Sequence, residues 1–127
     1  MTLACADPDD GTRCLEPSGR DEALDWLAGV RPHDHLLEPV RAALATGVRG
    51  AAVAILTSNT GRAGAELPSA VRTAAASGAR AMAVVARAET WDRRIASAFP
   101  IDPRGLAEWA SVRTIDRGQD VGSCLQR

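Results

Sequence analysis

Residues 51–86 constrain this chain more than any other stretch. Residues 51–56 form an unbroken apolar run, 57–65 are polar and glycine-rich, and 66–77 place apolar side chains at helical spacing. Gly78 interrupts, and 80–86 are a second apolar run with Val84 and Val85 at its centre. Two co-directional strands need a crossover of about this length, so the stretch reads as a βαβ unit. The expected architecture is therefore α/β, a mainly parallel sheet flanked by helices. The run 51–56 contains no polar residue, which predicts an interior strand covered on both faces.

The segments on either side extend this frame. Residues 2–6 are apolar, Asp7-Pro8-Asp9-Asp10-Gly11 is strong turn chemistry, and 12–15 can return as a second strand. Proline presets φ, and Asp and Gly tolerate positive φ, so the chain is expected to open with a β-hairpin. A symmetric turn would set Cys5 nearly opposite Cys14. The pair then reads either as a bridgeable couple or as two small buried hydrophobes. A helix is expected from near Asp21, capped by Ser18 or Asp21, with Ala23, Leu24, Leu27 and Val30 turned inward. A second helix spans 36–45, where Pro39 fits the first turn and Leu37, Val40 and Leu44 share a face. In the crossover helix Pro68 also falls in the first turn, while Leu67, Val71, Ala74 and Ala75 face the sheet. A short helix at 104–110, a last strand at 112–115 and a terminal helix at 121–125 complete the reading.

Size and composition narrow the function classes. A chain of 127 residues is the length of a single domain burying about two-thirds of its unfolded surface. Its 15 basic residues, all Arg, face 16 acidic ones for a net charge of −1. The arginines are scattered, so no nucleic-acid or membrane stripe is present. Three cysteines without C-x-x-C spacing support neither a zinc site nor a disulfide scaffold. No apolar run approaches the ~20 residues of a membrane span, and no basic segment followed by an apolar run opens the chain. A cytoplasmic protein is expected. With three Trp, one Phe and no Tyr, the core must come mainly from Ala, Val and Leu.

Chemistry-bearing residues are few. His33-Asp34-His35 reads as a metal or acid–base pair, or as a solvated helix start in which Asp34 caps. Residues i and i+2 point apart on a helix, and no further His completes a metal set. The segment Thr57-Ser58-Asn59-Thr60-Gly61-Arg62-Ala63-Gly64 follows the carboxyl end of a strand, where open α/β sheets bind ligands. It lacks Walker A and G-x-G-x-x-G spacing. Thr57, Ser58, Asn59, Gly61 and Arg62, with Asp92 beyond the neighbouring strand, are the candidate ligand-binding residues for a nucleotide or anion. The other reading is a plain polar connection. Trp91 reads as a pocket wall at this edge or as a lid on the sheet end. No nucleophile–base–acid set is apparent, and no cofactor is implied.

The order of elements resembles a known family. The hairpin 2–15, the strand 51–56, residues 78–86 with Trp91-Asp92, and the run W-A-S-V-R-T-I-D-R-G-Q-D at 109–120 resemble actinobacterial von Willebrand factor A-like proteins of the domain-of-unknown-function family fifty-eight, C-terminal part. The likeness covers nearly all of the chain. It implies a Rossmann-like, von Willebrand A-like fold and a non-catalytic scaffold or interaction role, often alongside a MoxR-type AAA+ ATPase. It also implies an opening central strand ending in the metal-binding pattern D-x-S-x-S, which this sequence lacks, so no metal site is expected. In the order 3-2-1-4-5-6 the hairpin would supply strands two and three, leaving strand one missing beside 51–56. The chain would then be an incomplete single domain. Three explanations fit: a truncated reading frame, half of a split protein that takes a strand from a partner, or strands closing up into a smaller domain.

Overall fold

The computed structural model describes residues 2–7, 9, 11–30, 35–45, 47, 50–94 and 102–126, without the side chain of Leu125. His33 and Asp34 lie outside the described residues. The chain opens with β1 (Leu3–Asp7) and β2 (Gly11–Leu15), followed by α1 (Arg20–Ala28) and α2 (Leu37–Leu44). Next come β3 (Ala52–Ser58), α3 (Gly61–Ala76), β4 (Arg80–Ala86) and α4 (Ala88–Trp91). The chain continues with α5 (Pro103–Leu106), β5 (Ala110–Ile115) and α6 (Val121–Gln126).

The expected hairpin and parallel βαβ unit are both present. β1 and β2 form an antiparallel pair, and β3, β4 and β5 form a separate parallel sheet in chain order. Two helices connect the two sheets. α2 packs on both hairpin strands and on α3, and α3 packs on β3 and β4. The core gathers at this helix–sheet boundary around Val40, Ile55, Leu67, Val71, Ala83 and Val85. Leu67 is only 1% exposed, at about the centre of the 16-residue α3.

Several expectations need correction. β3 is at the edge of the sheet, and its face carrying Ala52, Ala54 and Leu56 is exposed, Leu56 at 74%. An apolar run shows that a strand suits an interior position, but burial also requires a neighbour. In the hairpin, Ala4 pairs with Cys14 and Cys5 with Arg13. The two cysteines therefore occupy adjacent rungs and point to opposite faces, and Cys14 is exposed. The offset arises because Gly11, at φ 76°, belongs to the strand and shifts the pairing by one rung. That positive φ favours glycine.

The crossover helix begins five residues before the expected Glu66. Gly61 starts it at φ 60°, and the glycines that read as breakers are absorbed in its first turn, Gly64 being buried. Pro68 thus lies inside α3, where it removes one backbone donor. The α1 cap is Gly19 and makes no side-chain cap bond; Ser18 instead bonds Glu22 through both its N–H and its hydroxyl, at 2.6 and 2.7 Å. Only Ala23 is buried on α1, and Leu24 and Leu27 are about half exposed. Trp91 is 53% exposed at the end of α4, neither a pocket wall nor a lid.

Glu66 closes a junction that local sequence does not announce. Its carboxylate on α3 accepts the backbone N–H groups of Leu36 and Leu37, each at 2.9 Å, and so caps the start of α2 from a neighbouring helix. Arg62 donates to the same carboxylate at 2.6 Å. Burial pushes the carboxyl pKa up. The two backbone donors and Arg62 outweigh that penalty, and the net value falls to about 2.

Candidate functional site

The carboxyl end of the parallel sheet is held by a polar network. Asn59 follows β3 and is 1% exposed. Its Oδ1 accepts the N–H of Ala88 at 2.8 Å, and its Nδ2 donates to Glu89 at 2.9 Å. Its own N–H reaches the carbonyl of Ala86. Across the next strand, Arg87 grips Asp116 with two guanidinium bonds. The Thr90 hydroxyl donates to the Arg87 carbonyl at 2.8 Å and accepts the N–H of Arg117 at 2.9 Å. These bonds join the ends of all three strands through α4. They hold Glu89 and Asp116 below the usual carboxylate range, through the Asn59 amide and the Arg87 guanidinium respectively.

The six candidate residues do not converge. Asn59 belongs to that network. Gly61 begins α3. Arg62 lies on the outer face of α3, paired with Glu66. Asp92 is engaged by Arg94, whose backbone and guanidinium groups donate to it at 2.9 to 3.0 Å. Thr57 and Ser58 border the cavity between the hairpin and the parallel sheet.

That cavity, about 300 Å³, separates the hairpin from the parallel sheet. One wall is Ala4, Cys5 and Ala6 of β1; the other is Leu56, Thr57 and Ser58 of β3, extended by Thr60. Leu36, Pro39 and Ala63, from the α2 and α3 region, form the floor, and Val30 and His35 also line the cavity. Three consecutive residues from each strand have a clear meaning. Successive strand side chains point to opposite faces, so a cavity lined by a sheet face takes every second residue. One lined by consecutive residues lies along a strand edge. The cleft is thus bounded by two strand edges.

Its chemistry is sparse. Among the described residues, no Asp, Glu or Arg lines it, and His35 and Cys5 are its ionisable side chains. Burial pushes the Cys5 thiol up; Arg13 opposes that, while Asp7 and Cys14 add to it. All three groups are on the hairpin, and His35 is not among them. A raised thiol pKa leaves Cys5 protonated and weakly nucleophilic. Among the described residues, no group of three or more His, Cys, Asp or Glu comes together as a metal set. No described helix is long and apolar enough to cross a membrane.

Sequence reasoning missed Ala4, Ala6, Leu36, Pro39 and Ala63 as cavity residues. They carry no reactive group, and four separate segments supply the walls and floor. The only available signal was the opening hairpin followed by an apolar strand that lacks a consecutive partner before it. No family model, curated protein or solved structure matches the chain.

Proposed function

We propose that this chain is a non-catalytic protein-interaction module of the von Willebrand A-like type, working with a MoxR-type AAA+ ATPase. The cleft between β1 and β3 carries the interaction reading: two strand edges and an apolar floor offer a complementary surface, and its described residues include neither an activated nucleophile nor a charged catalytic pair. Each charged or amide candidate outside the cleft is engaged by another side chain: Asn59 by Glu89, Arg62 by Glu66, and Asp92 by Arg94. The order of hairpin, helices and parallel strands supports the family part of the reading, as does the W-A-S-V-R-T-I-D-R-G-Q-D run that forms β5 and its exit.

Sedimentation velocity of the purified chain mixed with a purified MoxR-type ATPase tests this. Co-sedimentation with a changed rate of ATP hydrolysis is expected. Independent sedimentation at micromolar concentrations overturns the ATPase partnership. A thermal-shift panel of nucleotides, phosphate and divalent metals tests the non-catalytic part. Saturable stabilisation of about 2.7 kcal/mol at a hundredfold excess over Kd would replace this reading with an anion- or nucleotide-binding one built on Thr57 to Gly64.

A further inference from the structure

We infer that the cleft between β1 and β3 receives one extended, uncharged segment of another polypeptide chain, which hydrogen-bonds to both strand edges and joins the two sheets. The inference rests on the interaction reading and names the chemistry of the partner surface. Its first support is the backbone of β3. The N–H of Asn59 reaches Ala86 on the β4 side, and the carbonyl of Ala51 accepts from Arg80 at the start of β4. In a parallel ladder a residue turns its N–H and C=O to the same side, and alternate residues turn to opposite sides. Residues 51, 53, 55, 57 and 59 therefore serve β4. Ala52, Ala54, Leu56 and Ser58 turn their backbone groups away from it, towards the open edge.

The second support is the opposite wall. Among the described strands β1 pairs with β2 alone, so every second residue of β1 directs its backbone groups away from β2. Ala4, Cys5 and Ala6 line the cleft in unbroken succession, which sets that outer edge against it. Two rows of alternating donors and acceptors thus border one apolar-floored slot. An extended segment offers matching rows on both of its own sides. A helix satisfies its backbone internally and offers neither.

The lining sets the segment's chemistry. Leu36, Pro39 and Ala63 form the floor, so floor-facing positions are apolar. The described lining contains no Asp or Glu, so a cation on the segment would have no carboxylate partner there, and an anion would meet only the His35 imidazole. On the other face Leu56 is 74% exposed and would gain a cross-strand neighbour. The three consecutive residues contributed by each wall span about 10 Å, a contact run of about three residues. Exposed strand edges are usually blunted by charge or proline, and the residues of β3 include neither.

The test uses the full chain, uniformly 15N-labelled, titrated with a capped peptide of alternating valine and threonine bearing one lysine at each end. Saturable shifts at the amides of Ala4 to Ala6 and Ala54 to Ser58 are expected. At least tenfold slower hydrogen exchange at Ala54 and Leu56 should accompany them. Leu56→Pro removes a donor directed at the cleft and none directed at β4, and should weaken binding at least tenfold. Should that variant fail to fold, the same peptide N-methylated at alternate positions is the second arm and should lose binding on the wild-type chain. No saturable binding up to millimolar peptide overturns the inference. So do shifts centred on Leu24 and Leu27 of α1, undiminished binding of the methylated peptide, or self-association of the chain that protects the β3 edge. Peptide binding without ATPase binding would overturn the ATPase partnership and leave the slot; the converse would leave the partnership and remove the slot.

Discussion

β3 and β4 lie side by side and point the same way, yet they experience different surroundings. Both are seven-residue strands rich in Ala and aliphatic side chains. β4 lies between β3 and β5 and buries Ala83, Val84 and Val85 in succession. β3 buries only Ile55. The face of β3 turned towards α3 joins the core, and the other face leaves Leu56 in water. An apolar composition is therefore permissive. Position in the sheet decides which apolar residues stabilise the fold and which remain available to a partner.

The largest expected effect sharpens this contrast from the buried side. Leu67→Ala opens a cavity at the α3–sheet boundary, where the side chain is 1% exposed. Buried Leu→Ala changes cost about 2–5 kcal/mol, and about 3 kcal/mol is expected here. Urea unfolding followed by circular dichroism reads it as a lower midpoint with an unchanged slope. A loss below about 1 kcal/mol would mean that the helix–sheet boundary is not the dominant core.

Asn59→Ala probes the polar junction at the end of the same two strands. The substitution strands the buried N–H of Ala88 and frees Glu89 from its amide partner. An unsatisfied buried donor costs about 1–3 kcal/mol, and about 2 kcal/mol is expected by the same unfolding measurement. Asn59→Asp keeps the acceptor for Ala88 but sets a second carboxylate against Glu89, so it should not restore stability.

How much of this contrast could be read beforehand depends on how local its cause is. The hairpin was legible because Asp-Pro-Asp-Asp-Gly is turn chemistry within five residues. The β3–α3–β4 unit was legible because Ile55, Leu67, Val71 and Val85 carry strand and helix periodicity in their own segments. The hairpin register was off by one rung because Gly11 joins the strand. The α3 start was misplaced because Gly61 and Gly64 read as breakers, while Gly64 is buried in the helix's first turn. The cap on α2 was hidden because Glu66 is 29 and 30 positions from the N–H groups it accepts. The cleft was hidden for a related reason. Its alanines and leucines become a site only when two edges are brought face to face, and no spacing in the chain records that event.

Glu66 gives a pH-dependent form of the comparison, because it supports the helix that carries the hairpin rather than the parallel sheet itself. Its folded pKa of about 2 lies below the ordinary 4.5. The stabilisation is therefore fully present above about pH 4.5 and is lost as pH falls towards 2. Glu66→Gln keeps an acceptor but loses the charge, which roughly halves such hydrogen bonds. It should cost about 1 kcal/mol at pH 7 and flatten the stability profile between those two pH values. Hydrogen exchange resolved by residue should locate the weakening at the start of α2 before it reaches β4. A variant whose profile between those pH values matches the wild type would remove Glu66 as the cap.

The smallest expected effect is the most informative about the open edge. Leu56→Ala removes a large aliphatic side chain from the middle of an apolar strand. Were β3 covered on both faces, the cost would match that of Leu67→Ala. With the side chain 74% exposed, the change should stay within about 0.5 kcal/mol, the range of ordinary surface substitutions. The two unfolding curves, measured together, therefore compare a covered apolar residue with an uncovered one of the same type. A cost near 3 kcal/mol for Leu56→Ala would mean that something covers this face in solution. Sedimentation would then identify it: a dimer would assign the cover to a second copy of the chain, and a monomer would assign it to the chain itself. Either result would show this face of β3 covered, and a small cost leaves it open to a partner.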